Sequence, residues 1–160
     1  MKKKMVSGMI VLLVGVFTLA FNMQPAKASE IIYIRADGSV DPKTAPISTV
    51  DKVMYIFTGN IYDALVIERD NIVVDGAGYT VQGKGEVNSI GILLEDRKNV
   101  TIRNTQITAF QEGVYLSSSL DNSICENNIV ANKKCGIYLL KSSNNILAGN
   151  NISGNQYGVG

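Results

Sequence analysis

The sequence contains no histidine. That absence removes Ser-His-Asp nucleophilic catalysis, imidazole acid–base chemistry and the ordinary zinc and copper ligand sets. Methionine does not replace it as a soft ligand, because Met1, Met5, Met9 and Met23 all fall in the first 28 residues and only Met54 is left. Two cysteines occur, Cys125 and Cys135. Export would permit a disulfide, but two thiols supply no framework, and both read as ordinary side chains. Long apolar runs are missing too. The stretch from Met9 to Phe21 is 13 residues, short of the ~20 that a spanning helix needs. No segment shows the 3.6-residue period of an amphipathic helix.

What is present begins with a targeting layout. Lys2, Lys3 and Lys4 precede that apolar run, and Ala26-Lys27-Ala28 offers a small-x-small cleavage point before Ser29. Residues 1–28 are therefore expected to be a signal peptide. Its removal takes four of the 15 basic residues and none of the 14 acidic ones, leaving a net charge of −3. A mildly acidic chain without a basic patch gives nucleic-acid binding no electrostatic support. The mature chain is expected to be secreted or held at the cell surface, off the membrane once the leader is cut.

The strongest signal is a repeat. Gly91, Gly113, Gly136 and Gly158 recur at intervals of 22, 23 and 22 residues, each followed by Ile or Val. Such a period marks a solenoid or array. Within each period, short β-rich runs alternate with Asn, Ser, Gly and Asp clusters. Aligned on the glycines, Ile92, Val114, Ile137 and Val159 share one position, and Leu94, Leu116 and Leu139 share another two residues on. Side chains at i and i+2 lie on one face of a strand, so both sets should point into a common bore. Ile102, Ile124 and Leu147 align next, then Ile107, Ile129 and Ile152. Two polar columns interleave with them: Thr105, Asn127 and Asn150, and Phe110, Asn132 and Asn155. Stacked asparagines can donate and accept along the axis. They also tolerate the left-handed backbone that a sharp corner needs.

The fold expected is all-β: a right-handed parallel β-helix of ~22-residue coils with an N-terminal β cap. Residues 29–60, with β-like Ile31–Ile34 and Met54–Phe57, would supply the cap and first rungs, and residues 61–160 the coils. The chain ends just inside a further coil, so a longer protein is expected.

The pattern G-I-x-L-x-x-S-x-x-N-x-I-x-x-N-x-I-x-x-N resembles the right-handed β-helix repeat of secreted polysaccharide lyases, glycoside hydrolases and NosD-type periplasmic proteins. The run Ile67–Tyr79, with Asp75-Gly76-Ala77-Gly78, is similar to the opening coil of bacterial and archaeal surface proteins of this group. The resemblance implies the fold but leaves activity open, since one scaffold hosts many chemistries. The copper handling that a NosD likeness implies has no ligand set in this segment.

Catalytic residues are not expected. Glu95, Asp96, Glu112, Asp121 and Glu126 are the carboxylates of the repeats, and no two share a column on adjacent coils. They read as solvated turn charges, and Asp75-Gly76-Ala77-Gly78 reads as a tight corner. No metal and no cofactor are expected. Tyr115 and Tyr138 align with Leu93 on the outer face, where flat rings can meet sugar C–H faces. A polysaccharide or glycan is thus the expected partner, with the oligomeric state open. The function read from the sequence is non-catalytic carbohydrate recognition or surface display. The alternatives are the first part of a lyase or glycosidase, a spacer or adhesin, and a NosD-like periplasmic protein. Of two sequons, Asn99-Val100-Thr101 and Asn151-Ile152-Ser153, the first is the better glycosylation candidate.

Overall fold

The computed structural model describes residues 30–160. The expected leader at 1–28 lies outside them. Among the described residues there are seventeen strands and no helix. They form a right-handed parallel β-helix of about five turns.

Three sheets make its faces. The largest runs in the order Tyr157–Val159, Cys135–Leu140, Glu112–Ser117, Ile90–Glu95, Leu65–Ile67, Ile32–Ile34, Val40–Asp41. The six-stranded face runs Ile146–Ala148, Ser123–Cys125, Val100–Arg103, Ile72–Asp75, Met54–Phe57, Ile47–Thr49. The smallest comprises Asn151–Ser153, Asn128–Val130, Gln106–Thr108 and Thr80–Gln82. All pairings are parallel except two at the N-terminal end, where Val40–Asp41 folds back on Ile32–Ile34 and Ile47–Thr49 on Met54–Phe57. These two returns form the cap, and the strand beginning at Ile32 leaves Ile31 outside it.

The register follows the repeat. Ile92 pairs with Val114 and Val114 with Ile137, while Ile124 pairs with both Ile102 and Leu147. Ile92, Ile102, Ile107, Val114, Ile124, Ile129 and Ile137 are fully buried, while Leu147, in the last coil, is partly so. Each fully buried side chain contributes about 1.5–3 kcal/mol relative to exposure. The recurrent glycines have a steric cause. A Cβ on Gly113 would stand 2.6 Å from the carbonyl oxygen of Gly136 and 2.8 Å from Ile129 Cγ2. The coil is too narrow there for any side chain.

One expectation about corners is corrected. Asn127, Asn132, Asn150 and Asn155 do not occupy the left-handed positions. Those belong to the residue before each: Glu126 (φ 56°), Ala131 (φ 55°), Gly149 (φ 66°) and Gly154 (φ 65°). The left-handed residue bends the chain, and the one after it turns its side chain toward the neighbouring coil.

Earlier rungs break the period. Ile32 pairs with Leu65, and Leu65 with Ile92, intervals of 33 and 27 residues against the later 22 and 23. The second excess includes a seven-residue connection, 83–89, between Thr80–Gln82 and Ile90–Glu95. The equivalent connection in the next coil, 109–111, has three residues.

Candidate functional site

The outer face of the seven-stranded sheet carries one continuous column. Tyr33, Val66, Leu93, Tyr115 and Tyr138 stand side by side on successive strands. Tyr115 and Tyr138 are half-buried, their ring centroids 5.3 Å apart and their planes 30° apart. Part of each ring face is therefore spent on the other ring. Lys134 sits over Tyr138, its Nζ 5.3 Å from the centroid. At the other end Arg35 lies 3.8 Å over the Tyr33 ring.

Beside this column lies Glu112, which sequence reasoning placed among solvated turn charges. The structure corrects that: Glu112 is only 7% exposed and sits at the start of its strand. Lys134 Nζ donates to Glu112 Oε1 at 3.0 Å, and this bond raises the Lys134 ammonium above its ordinary value. The pairing follows from register, since Glu112 stands next to Cys135 and Lys134 precedes that residue.

The polar columns form hydrogen bonds that run along the axis. The Thr105 N–H donates to Asn127 Oδ1 at 3.1 Å, and Asn127 Nδ2 donates to the Ile102 carbonyl at 3.0 Å. Asn127 N–H in turn donates to Asn150 Oδ1. The second column repeats this: Phe110 N–H to Asn132 Oδ1, and Asn132 N–H to Asn155 Oδ1. Sequence reasoning missed a third column at the remaining corner. Val100 N–H donates to Asn122 Oδ1, and Asn122 N–H to Asn145 Oδ1. Ser119 is buried beside it, accepting from Arg97 N–H. The signal was available, because Ser119 and Ser142 recur at the same 23-residue interval as Asn122 and Asn145.

Asp75 closes its corner as an Asx turn, accepting from Ala77 N–H at 2.9 Å, and it also takes Arg103 Nε at 2.9 Å. Burial alone would raise its carboxyl, but Ala77, Asn104 and Arg103 outweigh that and hold it below the ordinary value. Both sequon amides are occupied: Asn99 Nδ2 donates to Asn71 Oδ1 and Asn151 Nδ2 to Asn128 Oδ1.

The cysteines are free and lie on different sheets, Cys125 in the six-stranded and Cys135 in the seven-stranded. Burial pushes the Cys135 thiol up, away from the thiolate form that ligates metal.

A stacked, parallel solenoid with amide-lined corners and an aromatic outer column defines this as a β-helix repeat protein. Its family follows directly: the model of NosD, described as periplasmic copper-binding protein, matches residues 36–160, and the chain belongs to that family. No curated protein and no solved structure matches it. Copper centres take thiolate, thioether or imidazole donors. Here the candidate donors are Cys125, Cys135 and Met54, and they do not converge. Met54 pairs with Val73 in the first rungs, several strands from Cys125. Among the described residues, no three His, Cys, Asp or Glu side chains gather to hold a metal ion. The residues described do not fit a copper centre.

Proposed function

We propose that this chain is an exported, extracytoplasmic β-helix protein that recognises carbohydrate without catalysis, through the outer face of its seven-stranded sheet. The observation that carries this reading is the column Tyr33, Val66, Leu93, Tyr115, Tyr138, an apolar and aromatic ribbon crossing five strands. Strand spacing of ~4.8 Å makes the ribbon about 20 Å long, a length suited to several sugar residues laid along the axis. Tyrosines supply apolar surface with a polar tip, the combination that sugars require. The Lys134–Glu112 pair beside Tyr138 adds donors and acceptors for hydroxyl groups. The periplasmic description of the NosD family supports placement outside the cytoplasm.

A purely structural stack is the second reading, favoured by the contact of the two rings with each other. Changing Tyr115 and Tyr138 together to Ser separates the two. On the carbohydrate reading, binding on a glycan array falls by at least ~10-fold while the denaturation midpoint stays close to the parent's. A stability loss with no change in binding would favour the stack. An unaltered parent that binds no glycan would favour a spacer.

A further inference from the structure

The seven-residue connection 83–89, whose residues 86–88 are exposed, forms one side of a groove against the seven-stranded sheet. It is pinned from below. Gly83 and Gly85 N–H donate to the carbonyls of Thr108 and Ala109, and Asn88 N–H donates to Gln111 Oε1 at 2.6 Å. Lys133, two coils on, reaches over so that its Nζ donates to the Gly85 carbonyl. Such tethering preforms whatever this connection encloses.

The groove between connection and sheet is open and of about 310 Å³, at the small end of the ~300–1,000 Å³ typical of ligand sites. Its floor and sides are apolar: Val66, Leu93, Ile90, Ile31 and Val87. Val87 is 79% exposed and Ile31 41%, so this apolar surface faces the opening. Asp63, Glu86 and Asn88 supply the polar lining. Val66 and Leu93 are also the middle members of the tyrosine column, and Leu93 pairs directly with Tyr115. The groove therefore shares two residues with the proposed sugar-binding ribbon.

We infer that this groove is a subsite for the acylamino group of an N-acylated amino sugar, a conclusion that rests on the carbohydrate reading above. The apolar floor takes the acyl methyl. The carboxylate of Glu86 accepts the amide N–H, and the Asn88 amide meets the acyl carbonyl as a donor. The exposed Glu86 carboxylate at the lining disfavours a uronate, whose own charge it would repel. The ligand class is thus neutral N-acylated glycan rather than acidic polysaccharide. A well-held methyl in an apolar site is worth ~10-fold or more in discrimination.

The test uses three tetrasaccharides on the full chain by calorimetry: the N-acetylglucosamine, glucose and galacturonate tetramers. The parent should prefer the N-acetylated tetramer over the glucose tetramer by ~10-fold. Val87→Glu, at an exposed position that the fold tolerates, should abolish that preference. Equal affinity for those two tetramers, a preference surviving in Val87→Glu, or strongest binding of the uronate would each overturn the subsite while leaving the tyrosine ribbon standing. In parallel, N-acetylglucosamine itself is titrated while the methyl signals of Val87, Ile90 and Leu93 are followed by NMR. Shifts confined to these methyls would support the groove even if Tyr115→Ser with Tyr138→Ser binds as the parent does, an outcome that removes the ribbon instead. No shift and no tetramer binding overturns both.

Discussion

In the coils after Val100, corner N–H groups are taken up by neutral side chains. Asn122, Asn127 and Asn132 each accept from the coil before and are capped by the next. Ion pairs instead tie the earlier rungs to one another and to the first of these coils, Arg35 with Asp41 and Glu68, Arg97 with Asp70, and Arg103 with Asp75, whereas Lys134 with Glu112 is the ion pair of the later coils. The later half keeps its 22- or 23-residue period, whereas the earlier half stretches to 27 and 33. The two facts are connected. An amide column works only when every coil presents the same corner at the same height, which enforces the period. Long ion-paired side chains span variable gaps, so rungs held by them can carry insertions such as 83–89. The groove lies in the half that tolerates irregularity, and the tyrosine pair in the half that does not.

Three experiments sharpen this contrast. The largest effect should come from the shared bore of the regular coils. Ile129→Ala removes a fully buried side chain and should cost about 2–5 kcal/mol in denaturant unfolding. A cost near zero would mean that the later coils do not fold as one unit.

Next, the two kinds of corner should respond differently to salt. Asn127→Leu leaves Thr105 N–H and the Ile102 carbonyl without their partner, at about 1–3 kcal/mol. That cost should be the same at low and high salt. Arg103→Gln loses a partly exposed pair with Asp75, worth about 0–1 kcal/mol at low salt and less at high salt. Equal salt dependence of the two variants would break the comparison.

The smallest effect concerns acid. Asp75 is held below its ordinary value of 3.8. Its contribution is therefore fully present above that value and is lost as pH falls through the lower, folded one. Melting temperatures of the parent and Asp75→Asn should differ at neutral pH and converge at the acid end. The stability difference between Asn127→Leu and the parent should show no such convergence in the same window, since an amide does not titrate.

The repeat was legible because burial forces periodicity. A bore lined by Ile92, Val114 and Ile137 cannot slip by one residue without turning its apolar face outward. The Gly–Ile start of each coil therefore gave the register directly. The column Asn122–Asn145 was equally periodic, standing as S-x-x-N in the repeat pattern, but that pattern alone does not say that the residues stack and bond between coils. The burial of Glu112 was less accessible, because its partner Lys134 comes from the next coil and neither residue repeats. Asn does take the left-handed conformation at Asn71, Asn99, Asn104 and Asn144, but before the column asparagines it falls to Glu126 and Ala131, which sequence position did not indicate.

By itself, then, the amino-acid order determined the solenoid, its period, its inward residues and the shared column of Tyr115 and Tyr138, all of which follow from a side-chain alternation of two and a coil of fixed length. Tertiary structure decided what depends on distance between coils. It gave the direction of the hydrogen bonds along the Asn columns, the ring-on-ring contact that occupies part of each tyrosine face, the separation of Cys125 from Cys135, and the groove between 83–89 and the sheet. These arise where residues far apart in sequence meet at strand spacing, and no local pattern encodes how an insertion will fold back.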